Sequence, residues 1–388
     1  MSDIVYNSLK KLILYCKTQN WIGYDPFDGL NSNLFQALPV LKRKKFCRLA
    51  FLQLNKVSPF NFRPLLQVNK GRNPKGIGLF LYAATNLYRI TRGEEYMNLA
   101  RQLVNWLKQD ISFGYSGCSW GYNFDWQSRA FFLPRGTPTV VNTSYIGRAF
   151  YQAYKVFKRD EYLEIANSAC EFIQKDLNRW EDDRSLCFSY SPVDRYFVHN
   201  ATALASSLLS LVYKETKNEN FIRLAKKSIQ YVIDHQQSNG LWHYGEDGIA
   251  QKTGIDSFHT GFILECLKIY SKAAEDNEYD EYIIKGLDAY QNNFFLKDGT
   301  PKYYVNKTYP VDIHSAAQAI VTLMRLKDFS SDLGLCDKIV NWMIEKMQDK
   351  KGNFYYQKRK YFTNKIAYMR WSQAWALYAL TTYMDTNG

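Results

Sequence analysis

Dense apolar runs alternate along the chain with stretches in which apolar residues recur every three or four positions. The dense runs are GIGLFLYAATNLY, TSYIGRAFYQAY, ATALASSLLSLVY, HTGFILECLKIY, SAAQAIVTLMRL and SQAWALYALTTY, ending at Tyr88, Tyr154, Tyr213, Tyr270, Leu326 and Tyr383. These endings lie 66, 59, 57, 56 and 57 residues apart, so a single unit is repeated six times. Runs that are apolar nearly all round and rich in Ala, Ser, Thr and Gly predict helices buried on most faces and closely packed. Between them, EEYMNLARQLVNWLKQD, DEYLEIANSACEFIQKDL, ENFIRLAKKSIQYVIDHQ, DEYIIKGLDAYQNNF and a fifth stretch from 332 to 348 read as amphipathic helices with charged outer faces. Four of them set a small residue four places after an aromatic, at Ala100, Ala166, Ala225 and Gly286, where a neighbouring helix could approach closely.

Buried helix, short loop, amphipathic helix, longer loop, repeated in this way, predicts an inner and an outer ring of helices. The sixth inner helix lacks a following partner, and a helix over residues 3–18 is expected to supply it and close the circle. The longer loops carry Gly with aromatics, as in SGCSWGYNFDW, LCFSYSP, SNGLWHYGEDG, KDGTPKYYVN and KKGNFYYQKRKYF, and are expected at one rim beside the N-termini of the inner helices. No Pro/Gly/Ser-rich linker interrupts the pattern, so residues 1–388 are expected to form one all-α domain, with 20–74 as an irregular N-terminal excursion and only short extended segments in the rim loops.

Six helical hairpins with G-x-W/F-x-Y loops resemble the (α/α)6 toroid, or barrel, of the six-hairpin glycosidase superfamily, a likeness in plan that covers nearly the whole chain. MRWSQAWALYAL, Met369 to Leu380, is similar to the R-G-Q-A-W-A-L-Y-G run of unsaturated uronyl hydrolases. IDSFHTGFILECLKIY is similar to their I-D-N-M-M-N-L helix, whose aspartate is the catalytic acid/base, a role the resemblance would assign to Asp256. The chain departs from that pattern at Lys365–Tyr368, where those enzymes usually carry D-D, and it has no H-D-L-G-F-like run. The resemblance therefore implies the fold more firmly than that reaction.

Of the 388 residues, 46% are apolar and 16% aromatic, with 30 Tyr against 24 Phe, so many rings need a hydrogen-bonded or wet end, as a sugar-binding groove would offer. The formal charge of +13 favours anionic partners: acidic glycan, nucleic acid or a membrane surface. No RRM, KH or helix-turn-helix signature favours nucleic acid. No apolar run approaches the roughly 20 residues of a membrane span, so membrane association is not expected. The seven Cys are scattered, without C-x-x-C pairs or zinc-ligand spacing, so no metal or other cofactor is indicated. Scattered cysteines and an N-terminus unlike an export signal suggest a cytoplasmic protein. The sequence leaves the oligomeric state open.

Fourteen residues before the run endings lie His199, Asp256 and Asp312, and three residues further on lie Thr143, Thr202, His259, Ser315 and Ser372, with His314 adjacent. Equivalent registers in a ring point at one place. The expected reaction is hydrolysis of an acidic oligosaccharide or polysaccharide by Asp256 and Asp312, one protonating the departing oxygen and the other activating water or attacking the sugar. His199, His259 and His314 would support them. Asp before a helix is also a favoured N-cap, which explains either carboxylate without chemistry. A second enzymatic reading is a uronate lyase or sugar epimerase with a His or Tyr base; a third is a non-catalytic glycan-binding protein of a surface-polysaccharide pathway. Asp125 is a further catalytic candidate, flanked by Trp120, Tyr122 and Trp126 as a stacking platform and followed by Arg129. Trp242, His243, Glu246, Tyr304, Arg370 and Trp371 complete the expected sugar-binding rim, for an anionic or a neutral glycan. Two basic clusters, Arg63 to Lys75 and Lys350 to Arg370, would line it. Asp25 and Asp28 are explained by turn chemistry alone.

Overall fold

In the computed structural model, residues 2–245, 254–330, 332 and 334–387 are described. Glu246 lies outside them. The dense apolar runs form inner helices α5 (Pro74–Thr91), α7 (Val140–Phe157), α9 (His199–Thr216), α11 (Ser257–Ala274), α13 (Ile313–Arg325) and α15 (Trp375–Asn387). Each packs on the next, and α15 returns to α5, closing the ring. The amphipathic runs form outer helices α6 (Glu94–Gln109), α8 (Asp160–Asp176), α10 (Glu219–Asp234), α12 (Asp280–Phe294) and α14 (Gly334–Met347), each on its preceding inner helix. Helix α1 (Ser2–Thr18) packs on α15 and completes the outer ring, as the repeat requires. This is the (α/α)6 toroid.

The repeated run endings have a local cause. Arg92, Lys158 and Lys217 take the left-handed conformation after α5, α7 and α9, each N–H closing on the carbonyl of Tyr88, Tyr154 or Tyr213. Each cation also sits over that tyrosine ring, at 5.8, 5.9 and 5.4 Å. An aromatic followed four residues later by a basic residue thus ends the helix without glycine. At Gly286 of α12, a Cβ would lie 2.8 Å from the Trp242 ring and 2.9 Å from Leu264, so glycine is what allows this outer helix to seat.

Strands are confined to rim loops: β1 (Trp126–Gln127) pairs β2 (Phe132–Leu133), β3 (Arg179–Glu181) pairs β4 (Leu186–Phe188), and β6 (Gln357–Lys358) lies between β5 (Val311–Asp312) and β7 (Thr363–Asn364). Residues 20–74 are more regular than expected. They contain α2 (Asn33–Gln36), α3 (Pro39–Arg43) and α4 (Lys45–Val57), and fold back over the mouth of the ring. A buried ion pair, Arg63 to Asp28 at 2.6 Å, braces this segment internally, and it is anchored to the ring by Arg370, which donates to both oxygens of Asp25 at 2.6 and 2.7 Å, and by Arg63, which donates to the Tyr368 hydroxyl at 2.8 Å. Asp25 and Asp28 therefore do more than shape turns, and Arg63 belongs to the interior rather than to a basic rim. No helix among the described residues is long and apolar enough to cross a membrane.

Candidate active site

Because all six inner helices start at one mouth, their first turns share a common space, and with the rim loops they enclose a cavity of about 170 Å³. Lys75 comes from α5, Val141 from α7, Asn200 from α9, Phe258, His259 and Phe262 from α11, and His314 from α13. Arg370 and Trp371 arrive on a π-helical turn, Met369–Ala374, that leads into α15; the widened turn is closed by Gln373 N–H on Tyr368 O at 3.1 Å. Tyr122, Phe124, Trp126, Tyr190, Tyr244 and Tyr303 descend from the rim loops, and Phe27 covers them from the N-terminal segment.

Asp256 caps α11, accepting the His259 backbone N–H at 2.9 Å, and its other oxygen meets His259 Nδ1 at 2.6 Å. A carboxylate in this position fixes the tautomer with the proton on Nδ1 and leaves Nε2 able to accept a proton. Asp312 is wholly buried and caps α13 through the His314 N–H at 2.9 Å; it also accepts Gln357 Nε2 at 2.6 Å and Trp371 Nε1 at 2.9 Å. Burial pushes its carboxyl above the usual range despite these donors. Neither carboxylate forms part of the cavity wall, which among the described residues carries no acidic side chain. The paired-aspartate geometry expected from the sequence is thus replaced by two carboxylates that hold the groups in front of them.

His314 is 2% exposed, and neither ring nitrogen has a hydrogen-bond partner among the described residues. Its ring lies parallel to Phe258 at 4.8 Å and meets the edge of Trp371 at 4.4 Å. Burial, then the positive charges of Lys75 and Arg370 and the neighbouring His259, hold it well below the usual imidazole range, so it is neutral. Lys75, 3% exposed, sits over the Tyr145 ring at 4.3 Å and near Trp375 at 5.3 Å. Burial and then Arg370 push its ammonium well below the lysine range, Asp25 opposing and Arg148 reinforcing. The phenols of Tyr122, Tyr190, Tyr244 and Tyr303 are all pushed up by burial, which disfavours tyrosinate as a base.

Of the residues expected at the site, His259, His314, Tyr122, Trp126, Arg370 and Trp371 meet at the cavity. His199 does not: Val198 caps α9, so His199 is its first helical residue where Asp256 and Asp312 are caps, its Nδ1 engages His243 O at 2.8 Å, and its ring faces Tyr231 of α10 and the C-cap His235. Trp120 and Trp242 are buried, their indole N–H groups donating to Leu107 O and Val232 O, both at 2.8 Å. These tryptophans pin loops to outer helices. Asp125 accepts the Arg135 N–H at 2.8 Å in a turn, and Arg129 is exposed on the β1–β2 hairpin. His243 flanks a small crevice behind His259, and Tyr304 bridges Asp256 through its backbone, leaving Tyr303 to face the cavity. Most lysines of the 350–365 cluster are solvent-exposed. Lys75 and the aromatic wall of Phe258, Phe262, Tyr190 and Tyr244 were not singled out by the register argument.

No family model matches the chain, and no curated protein matches it in sequence. Solved structures do match in fold. Cellobiose 2-epimerase from Bacillus thermoamylovorans superposes with a TM-score of 0.67 at 13% identity, over 83% of this chain and 90% of that one. A D-mannose isomerase gives 0.61 at 15% identity over 81% and 87%. A family 76 α-mannanase from Bacteroides thetaiotaomicron gives 0.61 at 14% identity over 81% and 86%. The chain thus has the six-hairpin toroid fold found in these carbohydrate-active enzymes.

Proposed function

We propose that the protein is a carbohydrate-active enzyme that moves a proton at a sugar carbon next to a carbonyl, as an epimerase or an aldose–ketose isomerase. The observation that carries this reading is the pairing at one cavity of two imidazoles, His259 braced by Asp256 and a buried neutral His314, with no carboxylate among the described residues of the wall. His259 Nε2 takes the proton from the carbon beside the carbonyl of the open-chain sugar, and the electron pair moves onto the carbonyl oxygen to give an enediolate. The His259 imidazolium, whose proton exchanges with water, returns a proton to the opposite face of that carbon after the enediolate turns in the cavity, giving the epimer, while the neutral His314 holds a hydroxyl of the sugar. Return to the neighbouring carbon, with the hydroxyl proton redistributed, gives the isomer. Neither course changes the oxidation level of the molecule as a whole. Arg370, fixed by Asp25, supplies a positive charge toward the oxyanion. The fold neighbours named as an epimerase and an isomerase agree with this chemistry, while hydrolysis would need carboxylates that reach the sugar.

The test is incubation with a panel of aldoses, ketoses, uronates and their glycosides, the products separated by chromatography, for the wild type and the His259→Asn and His314→Asn variants. Interconversion lost in both variants is expected. Release of a reducing sugar from glycosides that survives in both variants would overturn the reading.

A further inference from the structure

Lys75 has a place in the cavity that proton transfer alone does not explain. It is a buried amine on the wall, facing rings at 4.3, 5.3 and 5.6 Å, with no hydrogen-bond acceptor for its Nζ among the described residues. Arg370, the other cation of the wall, is already matched by Asp25 through two hydrogen bonds. Lys75 is therefore left without a matching anion, in a chamber whose described walls carry no acidic side chain and into which helix N-termini point. A desolvated lysine is costly unless an anion completes it. The chamber, about 170 Å³, is also smaller than the roughly 300–1,000 Å³ of pockets for drug-sized ligands.

We infer that the substrate is a small sugar bearing one anionic group, carboxylate or phosphate, and that Lys75 is the residue that binds this group. The inference rests on the sugar-processing reading above. It relocates anion recognition from the lysine-rich rim to the bore. Binding recharges the amine, so complex formation takes up a proton when Lys75 starts neutral; the other charged or titratable groups near it are Arg370, Asp25, Arg148, His314 and Tyr145.

Calorimetric titration tests this with gluco-, manno- and galacto-configured sugars, each as the neutral hexose, the uronate and the 6-phosphate, against wild type, Lys75→Met and His259→Asn. At least one anionic sugar is expected to bind wild type at least about 30-fold more tightly than its neutral parent. Lys75→Met should abolish that preference while melting no lower than wild type, because a buried amine without a hydrogen-bond partner has been replaced by an apolar side chain of similar length. The uronate and phosphate arms identify which anion fits. Equal affinity for neutral and anionic sugars, a preference that survives in Lys75→Met, or no anionic binding at all would overturn the inference. His259→Asn should retain binding and lose turnover. Anion preference without turnover in wild type would leave the Lys75 site standing and remove the proton-transfer reading; turnover of neutral sugars without anion preference would do the reverse.

A separate observation concerns the outer surface of the N-terminal segment. Helix α4 turns Leu52 inward against Leu30 and Phe35, while Phe46, Ala50, Leu54 and Val57 form an exposed stripe at helical spacing, Phe46 being 80% exposed. Lys42, Arg43, Lys44 and Lys45, all exposed, precede it, and no Asp or Glu occurs from residue 29 to 93. We propose that this stripe docks on an anionic lipid surface, its apolar residues entering the headgroup boundary and its basic run facing the phosphates. Sedimentation with phosphatidylcholine vesicles, with and without phosphatidylglycerol, tests it. Salt-sensitive binding only to the anionic vesicles is expected, weakened about fivefold for each of Lys42 to Lys45 replaced by Gln, and lost in a Phe46→Ser, Leu54→Ser double variant. Absence of vesicle binding overturns the proposal, as does a stable dimer that the double variant dissociates or oligonucleotide binding in place of vesicle binding.

Discussion

His259 and Asp256 illustrate how a cap becomes a support. The same carboxylate satisfies an orphan backbone N–H of α11 and holds Nδ1 of the imidazole, so helix geometry and tautomer are set together. Asp256→Asn retains a cap but can no longer favour the imidazolium that forms as a proton is taken. Turnover is expected to fall about 100- to 10,000-fold with a much smaller change in KM, checked by steady-state kinetics. His314 makes a second prediction at this scale. Its folded value lies well below the ordinary imidazole value of about 6.5. Above that pH, both folded and unfolded chains keep it neutral. As pH falls below it, the unfolded chain takes up a proton that the folded chain refuses, so stability is lost at up to about 1.4 kcal/mol per pH unit. His314→Phe, which preserves the stack on Phe258, should flatten this component; melting profiles of both proteins from pH 7.5 to 5 would check it.

The inner helices carry polar groups along the bore as well as at its mouth. Deeper than the cavity, Arg148 of α7 pairs with Glu265 of α11, which also accepts Gln318 Nε2 of α13 at 3.1 Å and the Tyr378 hydroxyl of α15 at 3.3 Å. Four inner helices are thereby tied through one carboxylate. Glu265→Ala leaves a buried guanidinium unmatched and is expected to cost about 3–5 kcal/mol, measured by denaturant unfolding. The element scale also shows where sequence reasoning succeeds. A register counted back from run endings placed His259 and His314 near a common centre, because every hairpin repeats one length and one starting level. It failed for His199, whose helix begins one residue after Val198 and turns that ring toward α10. Trp120 and Trp242 look like a sugar platform in sequence, yet their N–H groups find carbonyls of the preceding outer helices. Lys75 read as one more basic residue, because nothing local distinguishes a buried lysine from a solvated one.

At the scale of the whole molecule, the ring closes with α1 as the last outer helix, and residues 20–74 serve as a cover braced internally by Asp28–Arg63 and locked onto the ring through Asp25–Arg370 and Arg63–Tyr368. The closed circle is legible in the spacing of the repeats; the cover is not, since its short helices and long-range ion pairs leave no periodic trace. Its consequence is an aromatic chamber, walled in part by Phe27, with no acidic side chain among the described residues that line it. The central claim is that imidazoles in this chamber exchange a carbon-bound proton of a sugar. The most direct measurement is deuterium incorporation from heavy water into recovered substrate and product, followed by NMR across a panel of neutral and anionic sugars. Label at the carbon beside the carbonyl with the wild type, and none with His259→Asn or His314→Asn, is the predicted result. Conversion of a sugar by the wild type with that carbon left unlabelled, including at low turnover, or the same labelling by both variants, would contradict it.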